Sequence, residues 1–269
     1  MRTLTTVIIG VLSGVLLGAQ ADAVRPAPRT SEGRPDLTGV YQASTRRGGW
    51  DAEAPGDEPG VAAARRAPDV PAAGRPEPIP YRPEARARAE ELLARRSVDD
   101  PTTLCLPQAS PRITGVALFP VQFVQTATQL IALYEYFWVF RVIPLDRRAH
   151  PDDVEPSHMG DSIGRWEGDT LVVDVTSFKP GGWLGAGFVH SDALHLVERY
   201  RRVDRDRLDY EVTIEDPNVL TKPYTQRITL MLREGTRLRE YSCAENNLDP
   251  AVLEKLMANP TLFLRPGAR

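Results

Sequence analysis

Apolar and polar side chains alternate with a period of two through much of the chain after residue 113. The cleanest run sets Leu208, Tyr210, Val212 and Ile214 against Asp209, Glu211, Thr213 and Glu215, an extended segment with one apolar face. Ile228, Leu230 and Leu232 alternate in the same way against Arg227 and Thr229. Glu167-Gly168-Asp169-Thr170 is a tight turn between residues 162–167 and 170–178, and predicts a β-hairpin. Two more hairpins are predicted, 194–203 with 208–214 and 224–232 with 237–243, around Asp204-Arg205-Asp206 and Glu234-Gly235. Upstream, residues 118–125, 129–136 and 137–145 form a dense apolar and aromatic series of strands, and residues 37–42 read as a short first strand.

Successive hairpins with one apolar face predict an antiparallel up-and-down meander. Its inner face has to be hidden, and about eight to ten strands let a sheet close on itself. The expected fold is therefore mainly β, a lipocalin-like barrel or strongly curled sheet, with a β-sandwich as the alternative. Pro83-Glu84 opens a run of good helix formers to about Arg96, whose apolar residues are mainly alanine with Leu92 and Leu93. This predicts one peripheral helix. A short helix opened by Asp249-Pro250 is expected over 249–258. Residues 46–80 hold too little apolar surface to offset their ordering entropy and read as a disordered loop. The expected organisation is a signal over 1–23, a leader, loop and helix over 24–112, the β-domain over 113–248 and a tail over 249–269.

The ends and the charge narrow the setting. Arg2, the apolar run 7–17 and the Ala19-Gln20-Ala21 and Ala21-Asp22-Ala23 sites form a secretory signal. That run is shorter than the roughly 20 residues of a bilayer span, so no span is expected after cleavage. The chain is expected in the periplasm or outside the cell. With 33 basic and 36 acidic side chains, the formal net charge of -3 supplies no field to recruit nucleic acid or acidic lipid. Cys105 and Cys243 are the two cysteines, and in an oxidising compartment a pair is expected to be bonded. A catalytic thiol is the rival reading. Against it, Cys105 sits in an apolar Leu-Cys-Leu-Pro context with nothing nearby to lower its pKa.

Several segments occur together in one family: Pro35-Asp36-Leu37-Thr38-Gly39-Val40-Tyr41, Leu133-Tyr134-Glu135-Tyr136, His150-Pro151-Asp152-Asp153, and Gly164-Arg165-Trp166-Glu167-Gly168-Asp169-Thr170-Leu171-Val172-Val173-Asp174. His190-Ser191-Asp192-Ala193-Leu194-His195 with Glu198-Arg199, and Cys243-Ala244-Glu245-Asn246-Asn247, complete the set. On these the chain resembles a large group of exported proteobacterial and acidobacterial proteins. The resemblance implies export and assigns no activity or catalytic residue.

All four histidines fall between residues 150 and 195, among carboxylates. Three chemistries fit that pattern. A small-ligand pocket would take aromatic walls from Tyr134, Tyr136, Phe137, Trp138, Phe140, Trp166 and Trp183, and orienting groups from Glu135, Arg141, His158 and His195. Acid–base catalysis without a cofactor would pair His190 with Asp153 or Glu198, aided by His150, Arg141 or Tyr134, and would suit a lyase, isomerase or hydratase step. A zinc site from His150, His158, His190 and an aspartate is the third, although the spacing matches no closed motif. Binding of a small, partly apolar molecule is preferred over conversion. No cofactor is expected, and an envelope interaction protein without a ligand is the remaining class. The sequence leaves the oligomeric state open.

Overall fold

The computed structural model describes residues 25–44, 78–116, 118–147, 149–185 and 187–245, with the isolated positions 254 and 258. The signal segment 1–23, most of the loop over 46–80 and most of the helix over 249–258 lie outside the described residues.

Chain order gives β1 (Gly39–Ala43), helix α1 (Pro83–Ala94), the single turn α2 (Arg96–Asp99), β2 (Val121–Gln125), β3 (Gln129–Tyr134) and β4 (Phe140–Pro144). Next come β5 (Asp161–Glu167), β6 (Thr170–Thr176), β7 (Trp183–Gly185), β8 (Phe188–Val189), β9 (His195–Arg202), β10 (Arg207–Glu215) and β11 (Tyr224–Leu232). Nine strands form one sheet in the order β4-β3-β2-β1-β11-β10-β9-β6-β5, and β7 and β8 form a separate small hairpin. The chain is thus a mainly β, nearly closed antiparallel barrel, as the alternation predicts, and the sandwich is excluded.

The closing turn is legible at the residue level. Gly168 has φ +59° and Asp169 is not among the positive-φ residues, the pattern of a type II′ turn, and the register Glu167↔Thr170 leaves those two residues as the loop. The inner faces follow the alternation: Leu208, Tyr210, Val212 and Ile214 are all buried. They join Tyr41, Phe123, Leu130, Ile143, Leu171, Leu196 and Leu230 in one core.

Every neighbouring pair in the sheet order is antiparallel. With nine strands, β4 and β5 at the two ends of the order must then run in the same direction. They lie side by side without a ladder between them. Side chains meet across this seam from within. Arg141 Nη2 donates to Ser162 Oγ at 2.8 Å, and a Cβ at Gly164 would stand 2.6 Å from Leu145 Cδ2 and 3.1 Å from Ile143 Cγ2. Residues 145–160 return the chain from the end of β4 to the start of β5, as a parallel neighbour requires.

Both mouths are covered. At the end holding the Gly168 turn, here the lower end, Leu37 is fully buried and its N–H donates to Gln125 Oε1 at 2.8 Å. Arg202 reaches the carbonyl of Asp36, and Arg29 grips Asp169 through two bonds of 2.9 and 2.6 Å. At the upper end, residues 105–116 enter the mouth and bury Ala109, Ser110, Ile113 and Thr114. Helix α1 is anchored there by Arg82 N–H to the Val219 carbonyl at 2.8 Å and Thr221 N–H to the Pro80 carbonyl at 2.9 Å. The β7–β8 hairpin packs on α1 so closely that a Cβ at Gly187 would stand 2.5 Å from the Ala89 carbonyl.

Two sequence expectations are corrected. Residues 237–243 form no strand. Both edges of β11 are already taken, by β10 and β1, so no edge is left for a partner. The segment instead runs from the Val40 carbonyl, which accepts from Arg233 N–H, to Glu135, whose carboxylate accepts from Arg239 N–H at 2.6 Å. Residues 137 and 138 are likewise outside β4, because the β3–β4 reversal falls on them and gives Phe137 and Trp138 positive φ.

Cys105 and Cys243 form a disulfide, with Cα atoms 5.5 Å apart, so neither is a free thiol. No helix among the described residues is long and apolar enough to cross a membrane. Both observations are compatible with an exported protein.

Candidate functional site

Alternation along β9 places Leu196, Glu198, Tyr200 and Arg202 on the inner face, and so carries a carboxylate into the barrel. Arg141 enters from β4 by the same rule. The two meet near the upper end. Arg141 Nη1 donates to Glu198 Oε1 at 3.0 Å and Nη2 to Oε2 at 2.9 Å, with side chains 2% and 0% exposed. Ser110 Oγ and the Tyr210 hydroxyl donate to Oε1 at 2.9 and 2.8 Å, and the Tyr200 hydroxyl to Oε2 at 3.3 Å. Arg141 Nη1 also reaches Ser110 Oγ at 3.1 Å. Tyr134 closes the upper side, its hydroxyl 3.1 Å from Thr114 Oγ1.

Four hydroxyls, of Ser110, Ser162, Tyr200 and Tyr210, thus serve one buried ion pair. Burial works against the Arg141 charge, but Glu198 outweighs it and lifts the guanidinium above its usual range. Burial raises the phenols of Tyr134, Tyr200 and Tyr210, so they donate rather than ionise. Arg141 Nε is buried and has no hydrogen-bond partner. It is an unused donor beside a satisfied carboxylate.

The histidines divide into two pairs, and neither reaches Glu198. His190 is buried at the upper end, its Nδ1 2.8 Å from the Ser191 carbonyl. That contact assigns the proton to Nδ1 and leaves a lone pair on Nε2, which is buried without a partner. Gly182 lies against it: a Cβ there would stand 2.6 Å from Nε2. Burial lowers the His190 pKa and the nearby His158 lowers it further, against the Ser191 carbonyl and Asp216. His158 is also lowered, by burial and then by Lys179, and its Nδ1 is buried and unpartnered.

The other two histidines lie on the outer wall. His150 Nδ1 is 2.6 Å from Asp161 Oδ2, and its Nε2 is 2.9 Å from Asp174 Oδ1. His195 Nε2 is 3.0 Å from Asp174 Oδ2, and its Nδ1 is 3.0 Å from Glu215 Oε2. The result is a ribbon, Asp161–His150–Asp174–His195–Glu215, laid across β5, β6, β9 and β10. Burial opposes the charge on His195, but Asp174 and Glu215 win and raise its pKa. The two imidazoles in turn hold Asp174 below the usual carboxylate range, against its own burial.

The residues singled out from sequence therefore scatter over several places. Tyr134, Arg141 and Glu198 converge inside the barrel. His190 and His158 are near each other, with the His190 ring edge-on to Phe178, and Trp183 is buried in β7. Tyr136 belongs to an aromatic cluster outside the mouth, stacked on Phe119 with centroids 4.5 Å apart and edge-on to Tyr241. Glu135 anchors the Arg239 backbone, and Trp138 and Phe140 are exposed. Trp166 is at the lower end beneath Arg34. Asp153 is exposed. The pairing of His190 with Asp153 or Glu198 is not formed. The Glu198 oxygens are occupied by Arg141 and the hydroxyls, and His190 spends Nδ1 on a carbonyl. No group of three or more potential metal ligands among the described residues could hold an ion, and His150, His158 and His190 do not converge.

Ser110, Ser162, Tyr200 and Tyr210 are the members that sequence reasoning missed. Tyr200 and Tyr210 were within reach, since the alternation that buries Glu198 places both on the same inner face. Comparison with protein-family models, curated proteins and solved structures finds no match.

Proposed function

We propose that this chain binds a small, partly apolar organic molecule inside the upper half of its barrel, and that it works in the periplasm or outside the cell. One observation carries the reading: a fully buried Arg141–Glu198 pair with four hydroxyl partners inside a barrel whose core is mainly apolar. Such a pair is poor value as a structural device. Replacing a buried ion pair with well-packed apolar side chains is often neutral or stabilising by about 1–4 kcal/mol. Recognition is a use that fits it, because ligand pockets set a few convergent polar groups among apolar walls. The unused Arg141 Nε supplies a donor for a ligand acceptor, and Tyr134 and Ser162 flank it. The resemblance to exported proteins and the disulfide favour an oxidising compartment.

The test is native mass spectrometry of the protein purified from its own host, beside the Arg141→Met/Glu198→Leu double variant. The wild type is expected to carry a small organic molecule that the folded double variant lacks. An empty wild type, or the same molecule on both proteins, overturns the reading.

A second reading, cofactor-free acid–base conversion, rests on His190 alone, whose lowered pKa keeps a free Nε2 lone pair at neutral pH. Its check uses the co-purified molecule: His190→Gln should retain binding and abolish its conversion.

A further inference from the structure

The interior cluster has more hydrogens to give than oxygens to receive them. Glu198 Oε1 accepts from Arg141, Ser110 and Tyr210, and Oε2 from Arg141 and Tyr200. A carboxylate offers about four lone-pair sites, so this one is full. Among the described residues, donors around it are left over. Arg141 Nε–H is buried without a partner. Ser162 Oγ accepts from Arg141 Nη2, the one hydrogen bond of that hydroxyl, so its own hydrogen is unspent. Thr114 and Tyr134 share a single bond at 3.1 Å, which uses one of their two hydroxyl hydrogens and frees the other. All four side chains are buried, and an unmet buried donor calls for an acceptor.

The first two donors share an edge. In a planar guanidinium, Nε–H and the outer hydrogen of Nη2 point the same way. The inner hydrogens of Nη1 and Nη2 go to Glu198, so the outer Nη2 hydrogen is the one that meets Ser162 Oγ at 2.8 Å. Ser162 therefore stands at the edge from which Nε–H emerges. Arg141 belongs to β4 and Ser162 to β5, so the two donors meet across the seam. The charges, by contrast, are closed, because Arg141 and Glu198 cancel. An added anion would lie beside the Glu198 carboxylate and an added cation beside the guanidinium, each without a counter-ion of its own.

We infer that the molecule held in the upper half of the barrel is an uncharged carbonyl compound, a ketone, aldehyde or ester, whose oxygen accepts from Arg141 Nε–H and Ser162 Oγ–H. The inference rests on the binding reading above and adds the chemistry of the guest. A hydrocarbon leaves the donors unmet. A carboxylate meets them but is repelled by Glu198. An alcohol brings a hydrogen of its own, for which the full Glu198 has no room.

Titration calorimetry of the protein with acetophenone, ethylbenzene and benzoate, three probes built on one ring, tests this. Acetophenone is expected to bind about tenfold tighter than either of the others, the worth of one or two buried hydrogen bonds. Its carbonyl carbon resonance should move downfield on binding. The Arg141 Nε nitrogen resonance should shift with acetophenone and stay in place with ethylbenzene, a readout on the wild type that does not depend on a variant folding. Ser162→Ala should weaken acetophenone about fivefold and leave ethylbenzene unchanged. Ethylbenzene or benzoate binding as tightly as acetophenone overturns the carbonyl assignment and leaves the binding reading standing. Bound acetophenone with an unshifted carbonyl resonance, or no binding of acetophenone, overturns the assignment too. The binding reading itself fails by a different result, an empty wild type after purification from its own host.

Discussion

At the scale of single residues, the interior pair makes the sharpest prediction. Glu198→Gln strands a buried guanidinium and Arg141→Met strands a buried carboxylate, so each is expected to cost about 3–5 kcal/mol. The double variant Arg141→Met/Glu198→Leu removes both charges and should cost less than either single change. Urea unfolding of the three variants measures this, and a double variant as unstable as the sum of the singles refutes it. Gly182 makes a second case. A Cβ there would stand 2.6 Å from His190 Nε2 and 3.2 Å from the Ala109 Cβ, so Gly182→Ala should destabilise by about 1–3 kcal/mol. Combining it with His190→Ala, which vacates the space, should recover part of the loss in the same assay.

At the scale of elements, the disulfide fastens the segment that fills the upper mouth. Cys105 begins the stretch carrying Ser110, and its bond to Cys243 closes a loop of sequence separation 138. In the chain-entropy model, losing such a bond costs roughly 4–5 kcal/mol. The pair Cys105→Ala/Cys243→Ala should show that loss on thermal unfolding, with early exchange of amides in 105–116. This scale also shows what a one-dimensional reading can reach. Strands β9, β10 and β11 were legible because the parity of their side chains is set by burial on one face. The fate of 237–243 was illegible, since it depends on β1, distant in sequence, having already claimed the free edge of β11. The candidate site divides in the same way. Glu198, Arg141 and Tyr134 could be named individually, while their convergence depends on how a nearly closed barrel brings β4 opposite β9. The histidines were legible as a group and misread as one, because proximity along the chain says little about which side of a wall a ring occupies.

At the scale of the whole molecule, the two sets of histidines pull pH stability in opposite directions. His195 has a raised pKa, so its contribution is complete below the ordinary imidazole value of about 6.5 and is lost as pH climbs through its higher folded value. His190 and His158 have lowered values, so their burial favours folding above about 6.5 and that advantage is lost as pH falls through the imidazole range. Thermal unfolding across pH should therefore show stability declining on both sides of neutrality. His195→Gln is expected to flatten the alkaline side and His190→Phe the acid side; the opposite assignment would refute it. The odd count of strands has a further consequence for shape. Since β4 and β5 run alike and share no ladder, the wall is a split ring rather than a hoop. Its girth is held along that line by side chains, Arg141 against Ser162 and Ile143 and Leu145 against Gly164. Such a ring can widen along one line without breaking a single rung between its strands, which a hoop laddered all the way round could not do.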